Sequence, residues 1–302
     1  MFFGAIETPS VAPRQTHCNA TVPMQLVQKK RWWDLNFYSG TRDAVAWPTA
    51  SEWRHASPEM LRNVVSVVVV QALLPRKEYN VSVWGNRVDI LLGGVQYNVE
   101  LPVGQYADGT ALATALTTAI TTTDAALAGC LVSYDTLTDR MSVTFAGPVF
   151  SLLWRTGTFN NVSLWRVMGW SDRLDTAPGV TQSSVGRINL EGVQVLDVFV
   201  TEFTNAVHGP VARILLKPGP GNTDTTYFDS ERCRAHTFWP VGRVTNFSFR
   251  FMVAYAHMSP TGEITPDYRP YDFNGCDVYL TIGVETLEYE DSGVKVVLDP
   301  ST

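Results

Sequence analysis

Hydrophobic positions change their spacing along the chain, and the spacing names the elements. Val64 to Leu74 is β-branched and almost continuously apolar, interrupted by Ser66 and Gln71 and bounded by Pro58 and Pro75. That pattern predicts a strand buried on both faces. Val95, Tyr97, Val99 and Leu101 instead alternate with Gln96, Asn98 and Glu100, the period of a half-buried strand. The same alternation returns at Phe247, Phe249, Phe251 and Val253, and again at Val278, Leu280, Ile282 and Val284. The spacing becomes four between Thr110 and Thr121, where Leu112, Leu116 and Ile120 recur. These predict a short helix with Asp108 or Thr110 as its cap.

Shorter segments fill the gaps. Val81–Trp84 and Arg87–Leu92 read as strands across the Gly85-Asn86 turn, and Cys130–Tyr134 with Met141–Phe145 as a hairpin joined by Asp135 to Arg140. Phe150–Trp154 and Arg213–Leu216 read as strands, and Val162, Trp165 and Met168 as one helical turn. After Val193 and Val195 the apolar parity flips to Leu196, Val198 and Val200, which predicts a β-bulge. Pro178 to Gly186 reads as a loop, and Pro218-Gly219-Pro220-Gly221-Asn222 opens another that reaches about Arg234. With roughly ten strands, one or two short helices and no βαβ alternation, the fold class is all-β, a sandwich or barrel. Residues 1–58 hold Pro9, Pro13, Pro23, Pro48 and Pro58 without a sustained period, and read as an extended N-terminal arm. The globular domain spans 59–291, and 292–302 is a C-terminal tail.

Composition narrows the class of partner. Charged residues make up 17% of the 302, against ~25% in an average soluble chain, while aromatics reach 11%. A surface poor in charge and rich in aromatics points to coverage by partner proteins. The net charge of -6 argues against direct nucleic-acid binding by the folded body, since phosphate contacts need a positive face. The Gln28-Lys29-Lys30-Arg31 segment is the locally basic stretch. No apolar run approaches the ~20 residues of a membrane span, and Met1-Phe2-Phe3-Gly4 lacks the basic start of a secretory signal, so an intracellular site of action is expected.

Little in the chain looks catalytic. His17, His55, His208, His236 and His257 lack paired metal-ligand spacing, and Cys233 with His236 makes half a zinc site. The four cysteines, Cys18, Cys130, Cys233 and Cys276, lie far apart and read as buried free thiols. Asp267, Asp272 and Asp277 recur every five residues without calcium-loop order, and turn chemistry accounts for them. No catalytic, cofactor-binding or metal residue is assigned, and no enzyme is expected. The aromatic cluster Trp32, Trp33, Phe37, Tyr38, Trp47 and Trp53 is more informative because it falls in the arm. These side chains either pin the arm to its own sandwich or anchor it in neighbouring subunits.

The order of several segments resembles a known family. Ser39-Gly40-Thr41-Arg42-Asp43, then Trp47-Pro48-Thr49-Ala50-Ser51-Glu52-Trp53, then Leu61-Arg62-Asn63-Val64 leading to Leu73-Leu74-Pro75 and Tyr79-Asn80-Val81, is similar to the opening of the jelly-roll penton and minor capsid proteins of large, nucleocytoplasmic-type double-stranded DNA viruses. The likeness continues through Leu101-Pro102-Val103-Gly104-Gln105-Tyr106 before the helix and Leu164 to Trp170, and ends at Tyr271-Asp272-Phe273-Asn274-Gly275-Cys276-Asp277. Gly40 replaces a second small polar residue of the pattern, and Gly219 to Arg234 has no counterpart in it. The resemblance implies a single jelly roll over 59–291, since the trimeric major capsid proteins look like two rolls in tandem and this chain carries one set of strands. It implies a structural virion protein without cofactors, found in the capsid and in the host cytoplasm during assembly. Its expected partners are itself, as a homopentamer at the vertices, the major capsid protein and other minor capsid proteins. A minor capsid protein cementing major capsid trimers is the alternative within the family. A carbohydrate-binding β-sandwich that uses exposed Trp and Tyr as sugar platforms is the rival outside it, and a β-sandwich hydrolase a weaker one.

Overall fold

Two strands are far longer than the rest, and the remaining strands are arranged around them. They are β2 (Glu52–Arg76), of 25 residues, and β12 (His236–Met258), of 23. The computed structural model describes residues 26–170, 174–217, 223–229, 231–258 and 264–291. In chain order its other strands are β1 (Leu26–Tyr38), β3 (Arg87–Leu92), β4 (Val95–Glu100), β5 (Cys130–Asp135), β6 (Arg140–Phe145), β7 (Phe150–Leu152), β8 (Thr181–Ser183), β9 (Val195–Val200), β10 (Ala212–Leu215), β11 (Thr223–Phe228), β13 (Ile264–Pro270) and β14 (Tyr279–Asp291). Helix α1 is Gly109–Thr123, and α2, Thr204–Val207, is a single turn. The class is all-β, as the alternation predicts.

β2 and β12 pair antiparallel from Glu52 opposite Arg250 to Val67 opposite His236. They exceed any one partner, so each continues into further pairings: β2 with β14 and β11, β12 with β9 and β13. The main path of the resulting sheet is β1-β14-β2-β12-β9-β10. It curls around a first core built from Trp53, Leu61, Val67 and Val69 of β2, Leu196, Val198 and Val200 of β9, Phe247, Phe249 and Phe251 of β12, and Leu280, Ile282 and Val284 of β14. Curling requires local bends, and the register of β12 on β2 shifts at Thr237/Val241 and at Val244/Asn246. Pro58 falls inside the second shift, between Ala56 and Leu61. Without an N–H it cannot serve a ladder, but a bulge asks for none there, so the strand starts at Glu52 rather than after the proline. At the neighbouring bend Asn63 takes a φ of 51°, a left-handed conformation that asparagine tolerates better than most side chains.

Val64 to Leu74 is buried on both faces, as expected. Val67, Val69, Ala72 and Leu74 join the core. Val68 and Val70 face the other way, where a Cβ on Gly283 would sit 2.9 Å from Val68 and the Arg232 side chain lies alongside. The segment after β11 holds that outer layer in place, with the Asp229 N–H donating to the Val70 carbonyl.

The arm reading changes for residues 30–58. Leu35 and Phe37 of β1, together with Ala50 and Trp53, belong to the first core. The expected boundary at residue 58 therefore falls within a strand, because Trp33, Leu35 and Phe37 alternate with polar residues and supply a buried edge. Residues 1–25 of the expected arm and the tail 292–302 lie outside the described residues.

Between β2 and β9 the chain builds a separate lobe with a second core. Two three-stranded sheets, β4-β3-β7 and β5-β6-β8, pack with α1 around Ile90, Leu116, Met141, Val143, Phe145 and Trp154. Asp108 caps α1, its carboxylate accepting the Ala111 N–H at 2.8 Å. Leu112, Leu116 and Ile120 are its buried stripe, as predicted. The 59–291 segment, expected as one jelly roll with enlarged loops, thus carries two hydrophobic cores. Residues 30–287 form one unit by contact, while Leu26–Lys29 and Glu288–Asp291, the ends of β1 and β14, belong to a second, small one.

Several local expectations need correction. Val81–Trp84 forms a turn with a single bridge from Val81 to Gly104, because Val83 and Trp84 have no sheet to pack on. The predicted loops contain β8 and β11, whose Thr- and Ser-rich sequences carry no hydrophobic alternation. The parity flip near Val195 marks the start of β9 rather than a bulge. β13, with Pro266 and Pro270 in its sequence, carries no strand signal of its own.

Candidate functional site

The six arm aromatics separate by burial. Trp53 is fully buried and Phe37 is 3% exposed; Phe37 lies edge-on to Phe249 at 4.9 Å and Trp53 packs tilted on it at 4.5 Å between centroids. Both pin this chain to its own core and are closed to a neighbour. Trp33 packs on the same core and donates its indole N–H to Thr286 Oγ1 at 3.0 Å. Trp47 is half-buried against that core. Trp32 is covered by the Arg232 guanidinium, 4.9 Å above its ring. Tyr38 stacks on Tyr279 at 4.3 Å, near the surface, where Tyr279 is 51% exposed.

Two segments on which the family resemblance rests meet at this edge although more than 230 residues separate them. Asp277 Oδ1 accepts the Ser39 hydroxyl at 2.9 Å and Arg42 Nη1 at 2.5 Å, and its Oδ2 accepts the Tyr38 hydroxyl at 3.3 Å. Ser39 also exchanges bonds with the Val278 backbone, its N–H donating to the Val278 carbonyl and its hydroxyl accepting the Val278 N–H. Arg42 also donates through Nε to the Trp47 carbonyl and through Nη1 to the Ser39 carbonyl. Burial raises the Asp277 carboxyl, but hydrogen bonds from Arg42 and Ser39 and the Arg42 charge outweigh it and hold the group below the ordinary aspartate range. Asp277 and Asp267, read from sequence as turn residues, are both ion-paired, Asp267 with Arg269. Asp272 does serve a turn, accepting the Asn274 N–H.

Where β2 leaves the sheet for the lobe, Arg76 and Glu78 form a buried ion pair at 2.6 Å. Tyr271 donates its hydroxyl to the other Glu78 oxygen. Burial first, then the adjacent carboxylate, drives the Tyr271 hydroxyl far above its usual pKa, so it stays a donor. Arg269 of β13 ties lobe to sheet. It donates to Asp267 at 2.8 Å, to the Asn161 carbonyl at 2.8 Å and to the Trp84 carbonyl at 3.3 Å. Its guanidinium lies 5.0 Å from the Trp84 ring and 5.1 Å from that of Tyr255. A cleft of about 320 Å³ opens beside this tie, walled by Tyr79, Trp84, Asn161, Ser163 and Trp165 from the lobe side and by Tyr255 and Arg269 from the sheet. Sequence reasoning missed this cleft, since its two walls come from distant segments, with Arg269 108 residues from Asn161 and 185 from Trp84.

Outward-facing apolar side chains are numerous. Phe238, Trp239 and Pro240 fall in the register shift between Thr237 and Val241. Phe238 turns in against Phe203 at 5.6 Å, while Trp239 turns out and is 90% exposed. Leu215 and Phe228 on the sheet, and Val95, Leu131, Leu137 and Val185 on the lobe, are exposed as well.

Thiol chemistry is unevenly distributed. Burial pushes the Cys130 thiol up to about 12. Cys233 is exposed and Cys276 half-buried, so the buried-thiol reading holds for Cys130 alone of these three, and Cys18 lies outside the described residues. His236 contacts the Val211 carbonyl rather than Cys233, and among the described residues no cluster of three or more His, Cys, Asp or Glu side chains is placed to hold a metal ion.

No family model matches the sequence, and no curated protein matches it. Among solved structures, the crystal structure of the selenomethionine-labelled mavirus penton protein is similar to this chain, with a TM-score of 0.41 and 9% identity, over 85% of this chain and 99% of the other.

Proposed function

We propose that this chain is a structural capsid subunit of an icosahedral double-stranded DNA virus that closes into a ring of five at the vertices. The observation that carries the reading is the outward apolar surface, with Trp239 raised on a bulge of β12 and 90% exposed. A large aromatic side chain held out by a well-packed sheet is what an association hot spot requires. The resemblance of the Ser39–Asp43 and Asn274–Asp277 segments to penton and minor capsid proteins supplies the kind of assembly. Their meeting in the Arg42–Asp277 pair supports that resemblance, because the pair joins the segment that follows β1 to the segment that precedes β14.

A ring closes only if one flank of the subunit complements a different patch on the other flank. Of the six arm aromatics, Trp32, Trp33, Tyr38 and Trp47 remain assembly contacts in this reading, because each keeps some exposure. Its partners are further copies of this chain, then the major capsid protein and other minor capsid proteins around the vertex. The chain acts in the virion, after assembly in the host cytoplasm, and performs no catalysis.

Native mass spectrometry of the purified protein tests this directly. Pentamers, alone or formed on addition of major capsid protein, are the expected result. A protein that stays monomeric under both conditions and fails to enter particles overturns the proposal.

A further inference from the structure

We infer that Arg62, Arg243 and the nearby Trp239 form one docking patch, and that the patch receives an acidic surface of a second copy of this chain. The inference rests on the ring reading above and names the surface by which one copy takes hold of the next. β2 and β12 set Arg62 directly opposite Arg243. On the adjoining rung Leu61 faces Val244 and both are buried in the first core, whereas the two arginines are exposed. Opposed positions of an antiparallel pair hold their Cβ atoms about 4.5–5.5 Å apart, and like charges placed there are destabilising. Among the described residues nothing offsets that cost. Neither guanidinium has an ion-pair or hydrogen-bond partner, and Glu59, in the neighbouring bulge of β2, pairs with neither. Arg250 makes the contrast on the same two strands, since it lies opposite Glu52 and pairs with it at 2.9 Å.

A carboxylate brought between the two guanidiniums replaces their repulsion by charge-assisted hydrogen bonds, the strong kind. Trp239 adds an apolar anchor. It precedes Arg243 by four residues on β12, with Pro240 and Gly242 also exposed between them. Trp and Arg are among the residues most enriched at binding hot spots, and here an indole 90% exposed stands beside two uncompensated charges.

Charge selects the occupant. The chain is −6 overall, and setting these two arginines aside leaves 21 basic side chains against 29 acidic ones. A further copy therefore brings an excess of acid to the patch from a part of its surface different from the patch itself. Opposite potentials of this kind steer and orient two partners, and contact between unlike patches is what a closed ring requires.

Ring formation by the full chain is followed by native mass spectrometry and sedimentation, at low and at high salt, for wild type and for Arg62→Glu/Arg243→Glu. Wild-type rings should loosen as salt rises, and the double reversal should weaken association by about tenfold or more. Arg62→Ser and Arg243→Ser should each weaken rings while leaving the melting temperature unchanged or higher, because either change relieves the repulsion within the subunit. Rings of the double reversal as tight as those of wild type would overturn the inference and leave the ring reading standing. Intact rings that no longer bind major capsid protein would overturn it as well, since the patch would then face that protein. A wild-type chain that forms no ring, alone or with major capsid protein, removes the ring reading and this inference with it. If the double reversal unfolds, the two serine variants decide: a lowered melting temperature with assembly unchanged would show that the arginines serve their own fold.

Discussion

Replacing Asp277 by Asn keeps its size and removes its charge, and the structure says what that costs. Three side chains donate to this carboxylate, and Arg42, the charged one, is only 12% exposed against 31% for Asp277. A hydrogen bond to a charged group contributes about 1.5–3 kcal/mol. Arg42 keeps two carbonyl acceptors in the variant and Asp277 is partly solvated, so the lower half of that range applies and the expected loss is about 2 kcal/mol. For a domain of this size that lowers Tm by about 4–8 °C. The dependence on pH follows from the direction of the shift: a carboxyl held below its unfolded value of ~3.9 contributes fully above that pH and loses its contribution as pH falls through the folded value. Melting curves by circular dichroism should therefore show a constant gap between wild type and Asp277→Asn from pH 7 to about pH 5, narrowing below pH 4. A gap under ~1 °C at pH 7, or one that widens on acidification, would show that the junction does not stabilise the fold. The double variant Arg42→Ala/Asp277→Asn should lose less than the two single changes summed, since both remove one pair, and more than Asp277→Asn alone, since Arg42 also holds the Ser39 and Trp47 carbonyls.

Further outcomes follow from single positions. Trp53→Ala should cost about 3–5 kcal/mol, because the side chain is fully buried against Phe37 and Phe249; chemical denaturation measures it. Asn63→Ala should lower stability by about 1 kcal/mol while Asn63→Gly is close to neutral, since φ is 51° there. Under native alkylation at pH 8, peptide mass spectrometry should find Cys233 labelled early and Cys130 protected until unfolding, as exposure and the raised Cys130 pKa require. Trp239→Ser should leave Tm within ~1 °C of wild type and weaken assembly, because the indole touches little of its own chain.

What could be read from sequence was what local spacing encodes. Leu112, Leu116 and Ile120 place α1 because a helix writes its buried face into consecutive residues, and the β5–β6 hairpin is legible because its strands are neighbours in the chain. β14 shows its inward face at Leu280, Ile282 and Val284, with Val278 just before it, for the same reason. β11 is hidden because an outer strand of threonine, aspartate and tyrosine is held by its partner β2 rather than by a hydrophobic face. Pro58 misleads because the bulge that accommodates it depends on the register of β12, about 190 residues away. Trp33, Leu35 and Phe37 alternate with Asp34 and Asn36, but three apolar positions between Pro23 and Pro48 are too short a run to mark a strand. The division into two cores is invisible in the pattern, since strands of the lobe and of the curled sheet alternate alike. The Arg42–Asp277 pair and the cleft are products of topology, and a single sequence contains no signal of which distant charges or aromatics will meet.

Reconstruction of the shell of particles purified from cells that produce this chain tests the central claim most directly. The account predicts five copies around each five-fold vertex, with Trp239 or one of the half-buried arm aromatics seated in a neighbouring subunit. Density for this chain only at positions away from the vertices, or its absence from the shell, would contradict it.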